Sequence, residues 1–163
     1  ISKAELVKGR NLGGQNQMVQ VRPLQVADKG AWLELWRGYL KFYKTELSDE
    51  QTELTWHRLL DGNYNSYCLV AEDNGEIVGI THYSFQTSTW AQNNYCYLED
   101  LFVNPTLRGK GYGRALIDAV REIAIEAGSS RLYWNTDQDN ATARKLYDSY
   151  TSESGKVQYR IQI

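Results

Sequence analysis

The sequence predicts one α/β domain built on a mixed sheet with helices on both faces. Three observations predict it. Strand-like runs at 66–72 and 76–85 are joined by the turn "DNG" at 73–75, which is a hairpin signal. Two stretches with helical apolar spacing, starting near Arg114 and Asn140, lie between later strand-like runs and read as crossover helices. The length of 163 residues suits a single domain, which buries roughly 68–70% of its unfolded surface and needs no disulfide or metal staple.

The elements follow in order. Residues 18–22, "MVQVR", alternate as a first strand, and Pro23 leads into a turn. Asp28 is expected to cap a helix carrying Trp32, Leu35, Trp36, Tyr39 and Tyr43 at helical spacing. Ser48 and Gln51 form a capping-box pattern, and Leu54, Leu59 and Leu60 continue a second helix to Gly62. After the hairpin and a polar loop around Trp90, "YCYLEDLFV" at 95–103 is rich in aromatic and β-branched residues and reads as a strand ended by Asn104-Pro105. Leu116, Val120, Ile123 and Ala127 mark a helix closed by Gly128. A strand at 131–136 follows, then a helix capped by Asp139 with Ala143, Leu146, Tyr147 and Tyr150 on one side. Residues 156–163, "KVQYRIQI", alternate as a final strand, giving the order β-α-α-β-β-β-α-β-α-β. Met18 is the only methionine, so residues 1–17 read as a vector-derived leader or an upstream remnant and the domain as 18–163.

Composition excludes several classes. A net charge of −2 gives no general nucleic-acid footprint, and no apolar run approaches a membrane span. Cys68 and Cys96 lie in apolar strand-like runs and read as core residues; with no signal-peptide pattern, a cytoplasmic location is expected. His57 and His82 are far apart, there is no CxxC pair, and no metal site is expected.

The chemistry-bearing stretch is "RGKGYG", Arg108 to Gly113, set between the strand 95–103 and the helix after it. A helix start offers free N–H groups and partial positive charge. Glycines let a ligand approach the backbone, and Arg108, Lys110 and Arg114 add charge. The features suit a phosphate group. The plainer alternative is a tight turn with solvated cations. A Walker A loop is excluded because Gly113 is followed by Arg114, and the G-x-G-x-G spacing departs from the dinucleotide fingerprint G-x-G-x-x-G.

This segment resembles the Arg/Gln-x-x-Gly-x-Gly/Ala signature of the GNAT (GCN5-related N-acetyltransferase) superfamily. "LEDLFVNP" before it and "LYWNTDQDNATARKLYD" after it agree, the latter with an Asn opening a helix, Asn140, and a Tyr seven residues on, Tyr147. Within the superfamily the chain looks most like the polyamine and diamine branch and its lysine- and histone-acetylating relatives. The resemblance implies a mostly antiparallel twisted sheet with a parallel splay, and acetyl-CoA as co-substrate. It places the pyrophosphate on the N–H groups of Gly109, Lys110, Gly111, Tyr112, Gly113 and Arg114. It pairs the pantetheine arm with the backbone of Leu101, Phe102 and Val103, puts Asn140 on the arm's other side, and counts Ala143 and Tyr147 of the same helix among the cofactor-binding residues. Asn140 also has a local reading, as a helix-start residue bonding its own backbone. The implied partners are acetyl-CoA and a primary-amine acceptor, in a homodimer, with neither nucleic acid nor membrane.

An amine attacks a thioester only when neutral, so a base must remove a proton, and the leaving thiolate must receive one. In the strand 95–103 Tyr97, Glu99, Leu101 and Val103 share one face, and Cys96, Leu98, Asp100 and Phe102 share the other. Each face then carries one carboxylate, costly on a buried strand unless partnered or functional. The resemblance favours Glu99 as base, with Asp100 as base or ordering group; a hydrogen-bonded structural carboxylate is the alternative for either. It makes Tyr147 the acid, against a core tyrosine, and the Val103 N–H the natural oxyanion donor. Trp32, Trp36, Tyr39, Phe42, Tyr43 and Trp56, with Glu46, Asp49, Glu50 and Glu53, either recognise a cation or form core and a solvated face. Trp90 is a candidate gate for the acceptor channel. The chain departs from the family after the Tyr helix, where no Gly-Phe pair occurs. The C-terminal edge is therefore either shortened or exchanged with a partner. A catalytically inactive acyl-CoA-binding module on the same fold is the competing function.

Overall fold

The computed structural model describes residues 19–163. Residues 1–17 and Met18, the expected start of the first strand, lie outside the described residues. The elements are β1 (Val19–Pro23), a 3-10 turn (Val26–Asp28), α1 (Lys29–Phe42), α2 (Asp49–Leu60), β2 (Tyr67–Asp73), β3 (Glu76–Gln86), β4 (Tyr95–Val103), a second 3-10 turn (Pro105–Leu107), α3 (Tyr112–Glu126), β5 (Leu132–Tyr133) and α4 (Ala141–Asp148). The strands lie in the order β1-β2-β3-β4-β5. The first four pair antiparallel, and β5 pairs parallel to β4 across the α3 crossover, as expected of a mixed, mostly antiparallel sheet.

Each face of the sheet has its own core. Leu116, Ile117, Val120 and Ile123 of α3 are buried against Leu69, Tyr83, Cys96 and Leu98, with Leu146, Tyr147 and Tyr150 at the margin. On the opposite face Trp32, Leu35 and Trp36 of α1 and Trp56 and Leu59 of α2 bury Val70, Ile80 and Phe102. The tryptophans of the N-terminal helices are thus core, because apolar residues at helical spacing form one stripe and the sheet covers it.

Four local expectations need correction. Asp28 precedes α1 but makes no side-chain cap; the Arg22 guanidinium donates to its carboxylate at 2.8 and 3.0 Å, and the Gln25 N–H donates at 2.7 Å. Burial pushes the Asp28 carboxyl up, but these charged and backbone donors prevail and hold it below its usual range. Asn140, not Asp139, caps α4, its side-chain oxygen accepting from the Ala143 N–H at 3.3 Å. The strand expected at 131–136 is only two residues long, because Trp134 turns away from β4 onto Tyr147 and Tyr150. Residues 151–163 form no element and are exposed throughout, so the alternation at 156–163 is not a strand in this chain; a strand needs an edge to pair with, and none among the described residues does so.

Candidate functional site

The site is organised by a bulge in β4. His82 is opposite Asp100 and Tyr83 opposite Leu98, which leaves Glu99 as the extra residue. The Thr81 hydroxyl, fully buried, donates to the Asp100 carbonyl at 2.8 Å beside it. The bulge overturns the expected alternation. Cys96, Leu98, Leu101 and Val103 all meet the α3 core, whereas Phe102 packs on the α1 side and Asp100 points to His82. Strict period-2 reading had put Asp100 with Cys96 and Leu98. One extra residue flips everything beyond it. The two carboxylates therefore act on the same neighbours, Tyr39 and Tyr97.

The carboxylates have different surroundings. Asp100 is largely buried and pairs with His82 Nδ1 at 2.9 Å. Glu99 is only partly shielded from solvent; that shielding first, then the charge of Asp100, raise its proton affinity above the usual carboxylate value. Tyr39 lies over the Asp100 carboxylate, held proton-bound by burial and then by that charge. Gly38 makes the approach possible: a Cβ there would stand 2.9 Å from the Phe102 ring, so glycine lets α1 press onto β4. Tyr43, one turn on and 4.8 Å from Tyr39 between ring centres, is held up by burial, Asp137 and Asp100, and its hydroxyl meets the Asn140 side chain. An acidic, aromatic cup thus joins the end of α1, the β4 bulge and the start of α4.

The glycine loop lies beyond the same strand. Gly109 and Gly111 have φ of +84° and +82°, and a Cβ at either would meet nothing within 4 Å. Both need glycine for the left-handed backbone and leave open space above it. Gly113 differs: its backbone is not left-handed, and a Cβ there would make only ordinary contact with Leu146, at 3.4 Å. Tyr112 is buried with its hydroxyl on Asp73, leaving only its backbone for a ligand. Two of the three cations are engaged: Arg108 sits 5.7 Å from the Phe42 ring centre, and Arg114 donates to Ser149 at 2.7 Å. Among the described residues, β5 pairs with β4 only at Cys96 and Tyr97, so the backbone from Leu98 to Val103 has no strand on that side. An open strand edge leading to a loop of free helix-start N–H groups fits a long ligand ending in phosphates.

Tyr147 is half-buried on α4, 5.4 Å from Trp134 between ring centres, and burial, then Tyr43, push its hydroxyl up to about 12. It remains protonated at neutral pH and can donate. Trp90 is 87% exposed on its loop, and Glu53 is paired with Lys29 at 2.9 Å while Glu46, Asp49 and Glu50 are exposed. The structure therefore brings together Glu99, Asp100, Asn140 and Tyr147 and adds His82, which sequence reasoning left unassigned, and Tyr39 and Tyr43, for which it held cation recognition and core as alternatives. Two signals pointed to them: a glycine inside an amphipathic helix, and a lone histidine on an otherwise apolar strand.

Fold and site together define a class: a mixed sheet split at one parallel pair, with a phosphate-suited loop beside the split and an acidic cup at its bulge. The acetyltransferase (GNAT) family model matches residues 31–150, and the chain belongs to that family. The D-amino-acid N-acetyltransferase HPA3 of Saccharomyces cerevisiae is 33% identical over 147 residues, covering 89% of this chain and 91% of that protein. The thialysine N-epsilon-acetyltransferase of Bos taurus is 35% identical over 141 residues, covering 79% and 81%. The fold is that of the aminoglycoside N-acetyltransferase AAC(6')-Iy solved in complex with CoA, with a TM-score of 0.77 at 17% identity over 92% of this chain and 98% of that one. The chain is thus an acyltransferase of a family that uses acetyl-CoA. Among the described residues no helix is long and apolar enough to cross a membrane.

Proposed function

We propose that the protein transfers the acetyl group of acetyl-CoA to the primary amine of a small cationic acceptor, an amino acid, a diamine or a lysine-like side chain. The observation that carries this is the solvent-accessible, proton-avid Glu99 at the β4 bulge, set beside a largely buried Asp100 that is paired with His82. The cup of carboxylates and tyrosines suits an ammonium group, and the relatives named for amino-acid and thialysine acetylation support an amine of that size. Glu99 takes a proton from the ammonium, directly or through water. The neutral amine nitrogen then bonds to the carbonyl carbon, giving a tetrahedral oxyanion; as this collapses the carbon–sulfur bond breaks, the Tyr147 hydroxyl gives its proton to the departing sulfur, and the second proton of the nitrogen passes through water to the tyrosinate. Backbone N–H groups of Gly109 to Arg114 hold the pyrophosphate, the free edge of Leu101 to Val103 holds the pantetheine arm, and the Val103 N–H is the oxyanion donor. Asn140 supports the arm from α4 while capping its own helix. An amine panel of D- and L-amino acids, polyamines, aminoglycosides and basic peptides tests the reading by product formation; acetyl-CoA binding with no turnover on any amine would overturn it.

The working form on this reading is a homodimer. Val157, Tyr159, Ile161 and Ile163 alternate along the exposed C-terminal segment, and the outer edge of β5 has no partner among the described residues. Residues 156–163 pair with the sheet edge of a second copy. Light scattering on the full chain and on a chain ending at Gly155 should give a dimer and a monomer; a monomeric full chain refutes it.

A further inference from the structure

His82 is 3% exposed in the middle of β3, with Trp32 and Asp100 at its ring nitrogens and the Cys68 thiol beside it. The Trp32 Nε1–H donates to Nε2 at 3.0 Å, and Nδ1 faces Asp100 Oδ2 at 2.9 Å. Indole can only donate, so Nε2 must present a lone pair. The ring proton is then on Nδ1, donated to Asp100. Burial works against charging this ring, but the Cys68 sulfur and Asp100 outweigh it and raise its proton affinity. The indole opposes that charge by geometry, because an imidazolium would set one N–H against another inside the core. The rest of the surroundings are Trp36, at 5.3 Å between ring centres, and Tyr39 over Asp100.

We propose that His82 is a positioning residue, held as the neutral Nδ1–H tautomer between Trp32 and Asp100, which fixes the Asp100 carboxylate beside the Glu99 base. The chain of bonds runs from α1 through β3 to the β4 bulge, and so ties the acceptor helix to the base. Its consequence is electrostatic. The charged or titratable groups facing Glu99 are Asp100, His82, Tyr39 and Tyr97. A fixed Asp100 charge keeps Glu99 proton-avid, whereas a positive His82 would oppose it. The inference rests on Glu99 as the base, and the first measurement below does not.

The first measurement is the ¹⁵N spectrum of His82 in the intact protein. One protonated Nδ1 and one unprotonated Nε2, unchanged from about pH 6 to 8 around the ordinary histidine value, is expected. An imidazolium, or the opposite tautomer, overturns the proposal whatever the base proves to be. The second is the pH profile of kcat/KM in three variants. His82→Gln keeps a donor for Asp100 and an acceptor for Trp32 and cannot carry charge, so it should retain the wild-type profile. His82→Phe releases Asp100; kcat should fall by about 10- to 100-fold and the acid limb should move to lower pH. Trp32→Phe frees Nε2 to take a proton, and the limb should move the same way. A role in packing alone would lower the melting temperature in His82→Phe without moving the limb. Loss of activity in a folded His82→Gln would show that the ring itself carries a proton, and would also overturn the proposal. If Glu99→Gln keeps the limb, the reading of Glu99 fails, while the tautomer result stands.

Discussion

The two sides of β4 meet two different demands. Toward α3 and α4 the site is made of backbone: a free strand edge at Leu98 to Val103 and two left-handed glycines before a helix start. Toward α1 it is made of side chains: Glu99, Asp100, His82, Tyr39 and Tyr43, placed by one bulge and one close helix approach. Backbone groups are the same in every residue, so the first side suits a co-substrate shared by a whole family. Side chains differ, so the second side suits selection of an acceptor. The division also sorts the charges, since the first side offers N–H groups to phosphate and the second offers carboxylates to an ammonium.

This division predicts that changes on one side leave the other side's substrate alone. Glu99→Gln should have the largest effect, a fall of about 10²–10⁴-fold in kcat with the KM for acetyl-CoA unchanged, read in steady-state kinetics. Because burial and Asp100 raise the proton affinity of Glu99, its proposed role as base is lost as pH falls through its pKa. The wild-type kcat/KM should therefore rise with pH along the acid limb, and that limb should vanish in Glu99→Gln. Gly111→Asp should come next. Its left-handed backbone costs an L-residue about 1–2 kcal/mol, and the new carboxylate repels phosphate, so CoA affinity by calorimetry should drop by about tenfold or more. The KM for the amine should stay where it was. Tyr39→Phe should be smallest, raising the amine KM by about 2- to 10-fold, within the net worth of one hydrogen bond, with acetyl-CoA binding intact. A Tyr39→Phe enzyme that loses CoA affinity, or a Gly111→Asp enzyme that loses only the amine, would break the division.

Legibility followed the same line. The glycine loop, the strand before it and the Asn–Tyr helix were readable because each depends on local backbone needs that a short segment must meet by itself. The two-sided cores of α1 and α3 were readable for the same reason, since periodic apolar spacing is local. What misled was also specific. Regular alternation assigned Asp100 to the face of Cys96 and Leu98, because a bulge leaves no mark in apolar pattern. The alternation at 156–163 predicted a strand, but the segment pairs with no strand among the described residues. Asp28 resembled a cap but was claimed by Arg22, which lies six residues earlier in sequence and on another element.

The sequence alone therefore determined the order of elements to α4, the faces the helices bury and the loop suited to phosphate, because these follow from neighbouring residues and their spacing. Only the tertiary structure decided that Glu99 is the bulged residue, that Asp100 turns to His82, and that Tyr39 and Tyr43 close over them. Those relations join α1, β3 and β4 across long stretches of chain. A buried polar group must find its partner wherever packing brings one.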